Sequence, residues 1–321
     1  MLQSYRVNST VSAAGAPAPR RYTPSAMLDR DRCRRIIAQA FPELAVRTLD
    51  YFAAGWDYAL WQANGEWLFR FPLRVECAEP LRTEARLLRE LAGRVSLPVP
   101  GPEYVSDGCE EFPPPFFGYC KLPGVPLSDL TLSDTGLAEI ALQLGRFLTE
   151  LHHFPPARAI ELGVPSFTTE SWRQEYREFR ARCSREVSPL LALAERRAVE
   201  RFWDGYLNDD AMFAFTPVLI HADLGVEHVL VDETTAGVTG VIDFADARVG
   251  DPALDFVGLD GPLRGAVLAN YERPLDATLL DRAERYRQIG PFHEVLYGIE
   301  IGEPTNVQAG LDGIRRRVLN K

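Results

Sequence analysis

Residues 221–228 read HADLGVEH, residues 241–244 read VIDF and residues 250–256 read GDPALDF, and the reading of these three blocks decides the fold. Within them stand His221, Asp223, His228 and Asp243, four groups able to move a proton or hold a metal. The surrounding stretch, 218–242, alternates β-branched triplets with polar residues, the pattern of short strands that present loop residues at their ends. Any one of the four, alone, is an ordinary turn or capping residue. Together they follow the order that phosphoryl transfer uses. A loop Asp accepts the proton of an attacking hydroxyl, a metal-side residue follows, and a second metal-binding Asp comes after the next strand.

Upstream, LDYFAAGWDYALWQ (49–62) and EWLFRFP (66–72) are two strand-like runs around Ala63-Asn64-Gly65. An Asn-Gly between alternating apolar runs predicts a hairpin. A helix follows, with Pro80 in its first turn and Leu81, Ala85, Leu88 and Leu91 at helical spacing. The proline-broken LPVPGPEYV (97–105) leads to EEFPPPFFGYCKLPG (110–124), an aromatic strand ending in a Pro-Gly turn. Ahead of all this, Met27 to Phe41 carries a helical pattern that Pro42 stops. Downstream, Ser133 or Asp134 caps a helix whose apolar face runs from Leu137 to Leu151, and amphipathic stretches cover 170–182, 190–208, 264–271 and 276–290. Strands gather at one end of the chain and helices at the other, which predicts an α+β fold.

Bulk composition narrows the function. Hydrophobic residues make up 46% and charged residues 25%, which excludes disorder over most of the length. The longest apolar run, Ala211–Ile220, is half of the roughly 20 residues a membrane span needs, so no membrane partner is expected. A formal charge of −10 argues against a nucleic-acid partner and favours a cationic or metal-chelated ligand. Five widely spaced cysteines without a C-x-x-C pair indicate neither a disulfide framework nor structural zinc, and fit a reducing cytoplasm. Residues 1–25, rich in Ala, Ser, Pro and Arg, read as a flexible leader.

The blocks HADLGVEH, VIDF and GDPALDF resemble those of the aminoglycoside phosphotransferase family, small-molecule kinases with a protein-kinase-like fold. His228, where many members have Asn, is similar to the branches acting at the 2″ position of aminoglycosides and on macrolides. The resemblance covers about residues 45–305. It implies an α+β, bilobal protein-kinase-like fold with a small β-sheet N-lobe (26–118), a hinge (119–124) and a larger, mainly helical C-lobe (125–321). It also implies roles. Gly55-Trp56-Asp57 looks like the phosphate-covering turn; FRFP puts Arg70 where the family has a lysine on the α and β phosphates; and Glu84, on the following helix, orients that cation. FFGYCKLPGVPL (116–127) resembles the hinge, with backbone groups of Cys120 and Leu122 for the purine and Tyr119 beside it. Asp223 would be the catalytic base, Asp243 and His228 the Mg2+ ligands, and Asp246 the substrate-facing carboxylate, while Asp251 and Asp255 would be structural. The implied donor is ATP or GTP, the acceptor a small hydroxylated molecule, and the expected state a monomer.

For the acceptor two chemistries stay open. A polycationic aminoglycoside, the first expectation, would use the negative charge, Asp246 and an acidic groove drawn from Glu175, Glu178, Glu300 and Glu303. A macrolide or another neutral hydroxylated metabolite would suit the block VGLDGPLRGAV (257–267), where Arg264 accompanies a lone Asp260. Outside kinase chemistry stand a non-catalytic kinase-like binding protein and a metal-dependent hydrolase using His221, Asp223, His228 and Asp243 as ligands.

Overall fold

The computed structural model describes residues 28–319 except Trp56, Ala236 and Asp260, so the leader expected at 1–25 lies outside the described residues. Helix α1 (Arg30–Ala40) begins at Asp29, whose side chain accepts from the Arg32 amide. It packs on an antiparallel sheet of β1 (Leu49–Ala54), β2 (Tyr58–Ala63), β3 (Trp67–Pro72), β4 (Pro102–Ser106) and β5 (Phe116–Cys120), in the order β1-β2-β3-β5-β4. The expected single run at 49–62 is two strands, because the Gly55 amide donates to the Tyr58 carbonyl (2.9 Å) and folds the run on itself. The hairpin at Asn64-Gly65 forms as expected, both residues taking the positive φ (55° and 73°) that a tight two-residue turn requires. Cys33, Ile36 and Ile37 close one sheet face over Phe69, Phe71, Phe112 and Phe116. Helix α2 (Ala78–Leu91) lies on the other face.

From Cys120 the chain passes through 121–124 into β6 (Val125–Pro126), which pairs with β8 (Val229–Val231), itself paired with β9 (Val238–Val241). Gly124 makes that approach possible. Its φ is 102°, and a Cβ there would sit 2.6 Å from the Val231 carbonyl oxygen. Helices α3 (Asp134–His153), α4 (Pro156–Glu161), α5 (Thr169–Glu186) and α6 (Leu193–Leu207) precede β7 (Val218–Ile220), which pairs with β10 (Arg248–Gly250). Of the two candidate caps of α3, Ser133 is the one used, its hydroxyl accepting from the Gly136 amide. Helices α7 (Gly261–Ala269), α8 (Leu279–Ile301) and α9 (Pro304–Ile314) complete the larger core, built on Phe147, Trp172, Trp203, Tyr206, Phe256 and Phe292.

Helix α8 does not stop at 290, the end of the amphipathic stretch expected over 276–290, but runs through Pro291 to Ile301. Pro291 cannot donate to the Arg287 carbonyl, and the Arg317 guanidinium does so instead, Nη1 at 3.1 Å. Helix α9 escaped the periodicity reading because Gly310 and Gly313 interrupt its apolar stripe. Those glycines let it pack directly on α8, a Cβ at Gly310 falling 2.7 Å from the Val295 amide and one at Gly313 falling 2.9 Å from Pro291.

Candidate active site

The loop after β7 and Asp243, two residues past β9, meet around His228. Asp255 shapes the loop: its carboxylate accepts the backbone amides of His221 (2.9 Å) and Ala222 (2.7 Å) and the Nε2 proton of His152 (3.0 Å). His152 in turn meets the Tyr271 hydroxyl at 2.7 Å. Asp251 is fully buried and clamped bidentately by Arg282 (2.7 and 3.0 Å), with the Tyr286 hydroxyl donating at 2.7 Å. Neither carboxylate faces the cleft. Ala222 and Asp243 hold positive φ (67° and 66°), a conformation that costs an alanine energy and that the surrounding contacts must sustain.

His221 and His228 divide sharply. His221 is fully buried, Nε2 donating to the Ile242 carbonyl (3.0 Å) and Nδ1 accepting from the Asp223 amide (3.3 Å). Burial pushes its pKa down to about 4, keeping it neutral. With both nitrogens engaged it is a strut, which removes it as a metal ligand and corrects the hydrolase alternative. His228 bonds through Nδ1 to the Asp223 carbonyl (2.7 Å) and reaches both acids: Nδ1 is 3.7 Å from Asp223 Oδ2, and Nε2 is 3.8 Å from Asp243 Oδ2. A carbonyl only accepts, so Nδ1 carries the proton and Nε2 is the nitrogen turned to Asp243.

Arg70 closes the other wall. Its guanidinium lies 3.3 Å from Glu84, 3.0 Å from Asp243 and over the Tyr58 ring at 4.2 Å. Burial opposes its charge, yet Glu84 and Asp243 hold its pKa above the ordinary arginine range. The structure thus brings Asp223, His228, Asp243, Arg70 and Glu84 together, from sequence positions 70 to 243. Cys120 ends β5 at the cleft's back edge with Leu122 next but one, and Tyr119 is buried beside Arg70, its hydroxyl pKa raised by that burial. The Gly55 amide is spent on the Tyr58 carbonyl. Asp57 is buried and ion-paired with Arg74, tying this turn to the end of β3. Trp56 lies outside the described residues.

A cavity opens beside Asp223, walled by Tyr176, Leu224, Leu254, Val257, Tyr286 and Ile289. Its carboxylates are Asp223 and Glu227; its cations are Arg248, Arg287 and Arg317, with His293 between them. Asp246 stands behind this wall, 3.6 Å from Arg248, and the half-buried Glu175 is 3.7 Å from the same guanidinium. Burial, opposed by Arg248, pushes Glu175 up to about 7. Glu178, Glu300 and Glu303 do not line the cavity, so the expected acidic groove is not formed; Glu178 accepts from Gln174 and Glu300 lies by Arg182. The three arginines were not anticipated. Arg248 sits inside the quoted blocks and could have been noticed, whereas Arg287 and Arg317 have no local signal.

These parts have the arrangement of a bilobal small-molecule kinase. The chain belongs to the phosphotransferase enzyme family, whose model it matches over residues 51–296, and it is a nucleotide-dependent phosphotransferase acting on hydroxyl groups. It is 30% identical over 249 residues to the viomycin phosphotransferase of Streptomyces vinaceus, covering 74% of this chain and 83% of that one. The solved GDP and kanamycin complex of APH(2″)-IIIa superposes with a TM-score of 0.82 at 27% identity, covering 90% of this chain and 99% of the other. A macrolide 2′-phosphotransferase of Brachybacterium faecium shares the fold at a TM-score of 0.67 and 24% identity, over 84% of this chain and 93% of that one. No helix among the described residues is long and apolar enough to cross a membrane.

Proposed function

We propose that the protein transfers the γ-phosphate of ATP or GTP to a hydroxyl of an antibiotic-like small molecule, with Asp223 as the base. The reading rests on one observation: Asp223 and Asp243 face the cleft from opposite sides of His228, with Arg70 on Asp243 at 3.0 Å. Asp223 orients the acceptor hydroxyl in line with the γ-phosphorus and takes its proton as the O–P bond forms and the bond to the leaving diphosphate breaks. Arg70, braced by Glu84, holds the α and β phosphates, and the backbone at Cys120 and Leu122 meets the purine edge. Residues 26–118 form the donor lobe, 119–124 the hinge and 125–321 the acceptor lobe.

Magnesium, when bound, neutralises and aligns the phosphate oxygens. Asp243 would supply it a carboxylate and His228 its Nε2. Two protein ligands suit an ion that takes most of its coordination from phosphates and water, and among the described residues no cluster of three or more metal-ligating side chains offers a closed cage.

As acceptor, a polycationic aminoglycoside draws support from the kanamycin-bound neighbour. The cavity beside Asp223 supports the other chemistry, a partly apolar acceptor of low positive charge, because its wall is largely apolar and its charged rim holds three arginines against two carboxylates. Nucleotide consumption by the purified chain, read against aminoglycosides, macrolides and viomycin with ATP and GTP in parallel at low and high salt, tests both. A macrolide response that survives salt supports the apolar reading. A steeply salt-sensitive kanamycin or viomycin response overturns it, and no nucleotide consumption by wild type with any acceptor, or near-wild-type turnover by Asp223→Asn, defeats the assignment of the base.

A further inference from the structure

The charged rim of the acceptor cavity is a constructed feature, and a break in a helix constructs part of it. Pro291 leaves the Arg287 carbonyl without its helical donor, and Arg317 Nη1 docks there at 3.1 Å. Arg317 can reach it because Gly310 and Gly313 bring α9 directly onto α8 at Pro291. A carbonyl accepts a hydrogen bond without cancelling a full charge, and the half-buried Glu294 is the carboxylate close enough to feel the Arg317 guanidinium on the cavity wall. Arg287, on the same wall, is steadied from behind by Glu284 at 2.7 and 2.8 Å. Arg248, only 6% exposed, donates Nε to the Asp246 carbonyl (2.9 Å) and stands 3.6 and 3.7 Å from the carboxylates of Asp246 and Glu175. Burial holds Glu175 near half-neutral at pH 7, which weakens its compensation of Arg248.

We propose that Arg317, Arg287 and Arg248 form an anion-binding corner of the acceptor site, which seats a carboxylate or phosphate of the acceptor while its apolar body lies against the cavity wall. Planar guanidinium groups on a largely apolar wall match such a group, and they repel the ammonium groups of a polycation. The orientation of the bound molecule, hydroxyl toward Asp223, rests on the phosphotransferase reading; the anion preference does not. A carboxylate and a phosphate ester share this chemistry, and probes carrying each separate them.

The test measures binding, so that it can fail independently of catalysis. The full chain, alone and with Mg-ADP, is titrated calorimetrically with 6-hydroxymethyl-2-naphthoate, its methyl ester, the analogue bearing an aminomethyl group in place of the carboxylate, and the analogue bearing a phosphate monoester there. Anionic probes should bind at least about tenfold tighter than the ester, and the amine more weakly than the ester. Arg317→Ala should collapse the anion-to-ester ratio to below about threefold and Arg317→Lys should restore part of it, with unchanged circular dichroism. Arg317→Met serves if the alanine variant does not fold. Equal binding of all probes, no binding, tightest binding of the amine, or a ratio untouched in a folded Arg317 variant overturns the proposal. A protein that prefers the anion yet consumes no nucleotide would defeat the phosphotransferase reading and leave this corner standing.

Discussion

The two halves of the cleft are built by different rules. On the donor side, Arg70, Glu84 and Asp243 form a chain of opposite charges at 3.3 and 3.0 Å, spaced along the sequence by 14 and 173 positions. Each charge has a partner of the opposite sign, so the side chains are fixed before any ligand arrives. On the acceptor side the wall is largely apolar, its charges are three arginines and the carboxylates of Asp223 and Glu227, and the acids that pair with Arg248 and Arg287, namely Asp246, Glu175 and Glu284, stand outside the cavity wall. With the proposed assignment of the two halves, the donor half is preorganised for a ligand whose chemistry never varies, whereas the acceptor half is a shaped surface whose chemistry is set by a few side chains. Preorganisation of the first kind lowers the reorganisation needed in the transition state; the second decides only which hydroxyl is brought there.

Substitutions can break this division. Asp243→Asn should abolish Mg-dependent nucleotide binding and turnover together while leaving binding of the naphthoate probes within about twofold, because a neutral amide cannot offset the ion's charge; fluorescent-nucleotide titration beside calorimetry reads both. Asp223→Asn should lose about 10²–10⁴ in turnover with nucleotide affinity kept, since it removes a base and not a phosphate ligand. Retained turnover would mean that the loop acid has been misassigned. Asp251→Ala removes the bidentate partner of the fully buried Arg282, leaving it Asp276 alone, and should cost about 2–3 kcal/mol of stability in urea denaturation, more than Arg30→Ala at the exposed Asp50 pair, about 0–1 kcal/mol.

The histidines give a pH-dependent effect. His221 in the folded protein has a pKa depressed from 6.5 to about 4, so the unfolded chain takes up a proton that the fold refuses. Its contribution to stability is whole above pH 6.5 and lost as pH falls toward 4, by an amount on the order of 2–3 kcal/mol. His221→Asn should flatten the stability profile across that window relative to wild type, and an unchanged slope would place the titration elsewhere. Smallest is Gly258→Ala, whose Cβ would sit 2.7 Å from Gly225 Cα; it should push the catalytic loop and reduce turnover several-fold with nucleotide affinity held.

The same division explains what could be read from the chain. That Asp223, His228, Asp243, Arg70 and Glu84 would meet in one place was legible because phosphoryl transfer asks for such residue types in such an order, and each lies beside a turn or helix with its own local signal. The hairpin at Asn64-Gly65 was legible for a related reason, since positive φ at two successive positions demands such residues. Helix α8 beyond Pro291, α9 and the Arg317 contact were not legible. Proline and glycine normally end a helix, and here tertiary packing of α9 on α8 outweighs that local preference. The acidic groove was misread because composition counts carboxylates without saying which face they occupy; Glu178 and Glu300 are spent on Gln174 and Arg182, and Glu303 does not line the cavity. Gly55 was read as freedom near phosphate, whereas its amide closes a strand turn.

The proline break in α8 bears on how the molecule could be inhibited. A compound aimed at the nucleotide pocket meets groups that every enzyme using the same donor must supply in some form, and selectivity there is hard to obtain. A compound that reaches past Asp223 to Arg317 would lean on a contact that exists only because one carbonyl was released by Pro291 and two glycines let a second helix come close. Such a contact follows from no requirement of phosphate chemistry, so a drug built on it would have few unintended targets among other kinases.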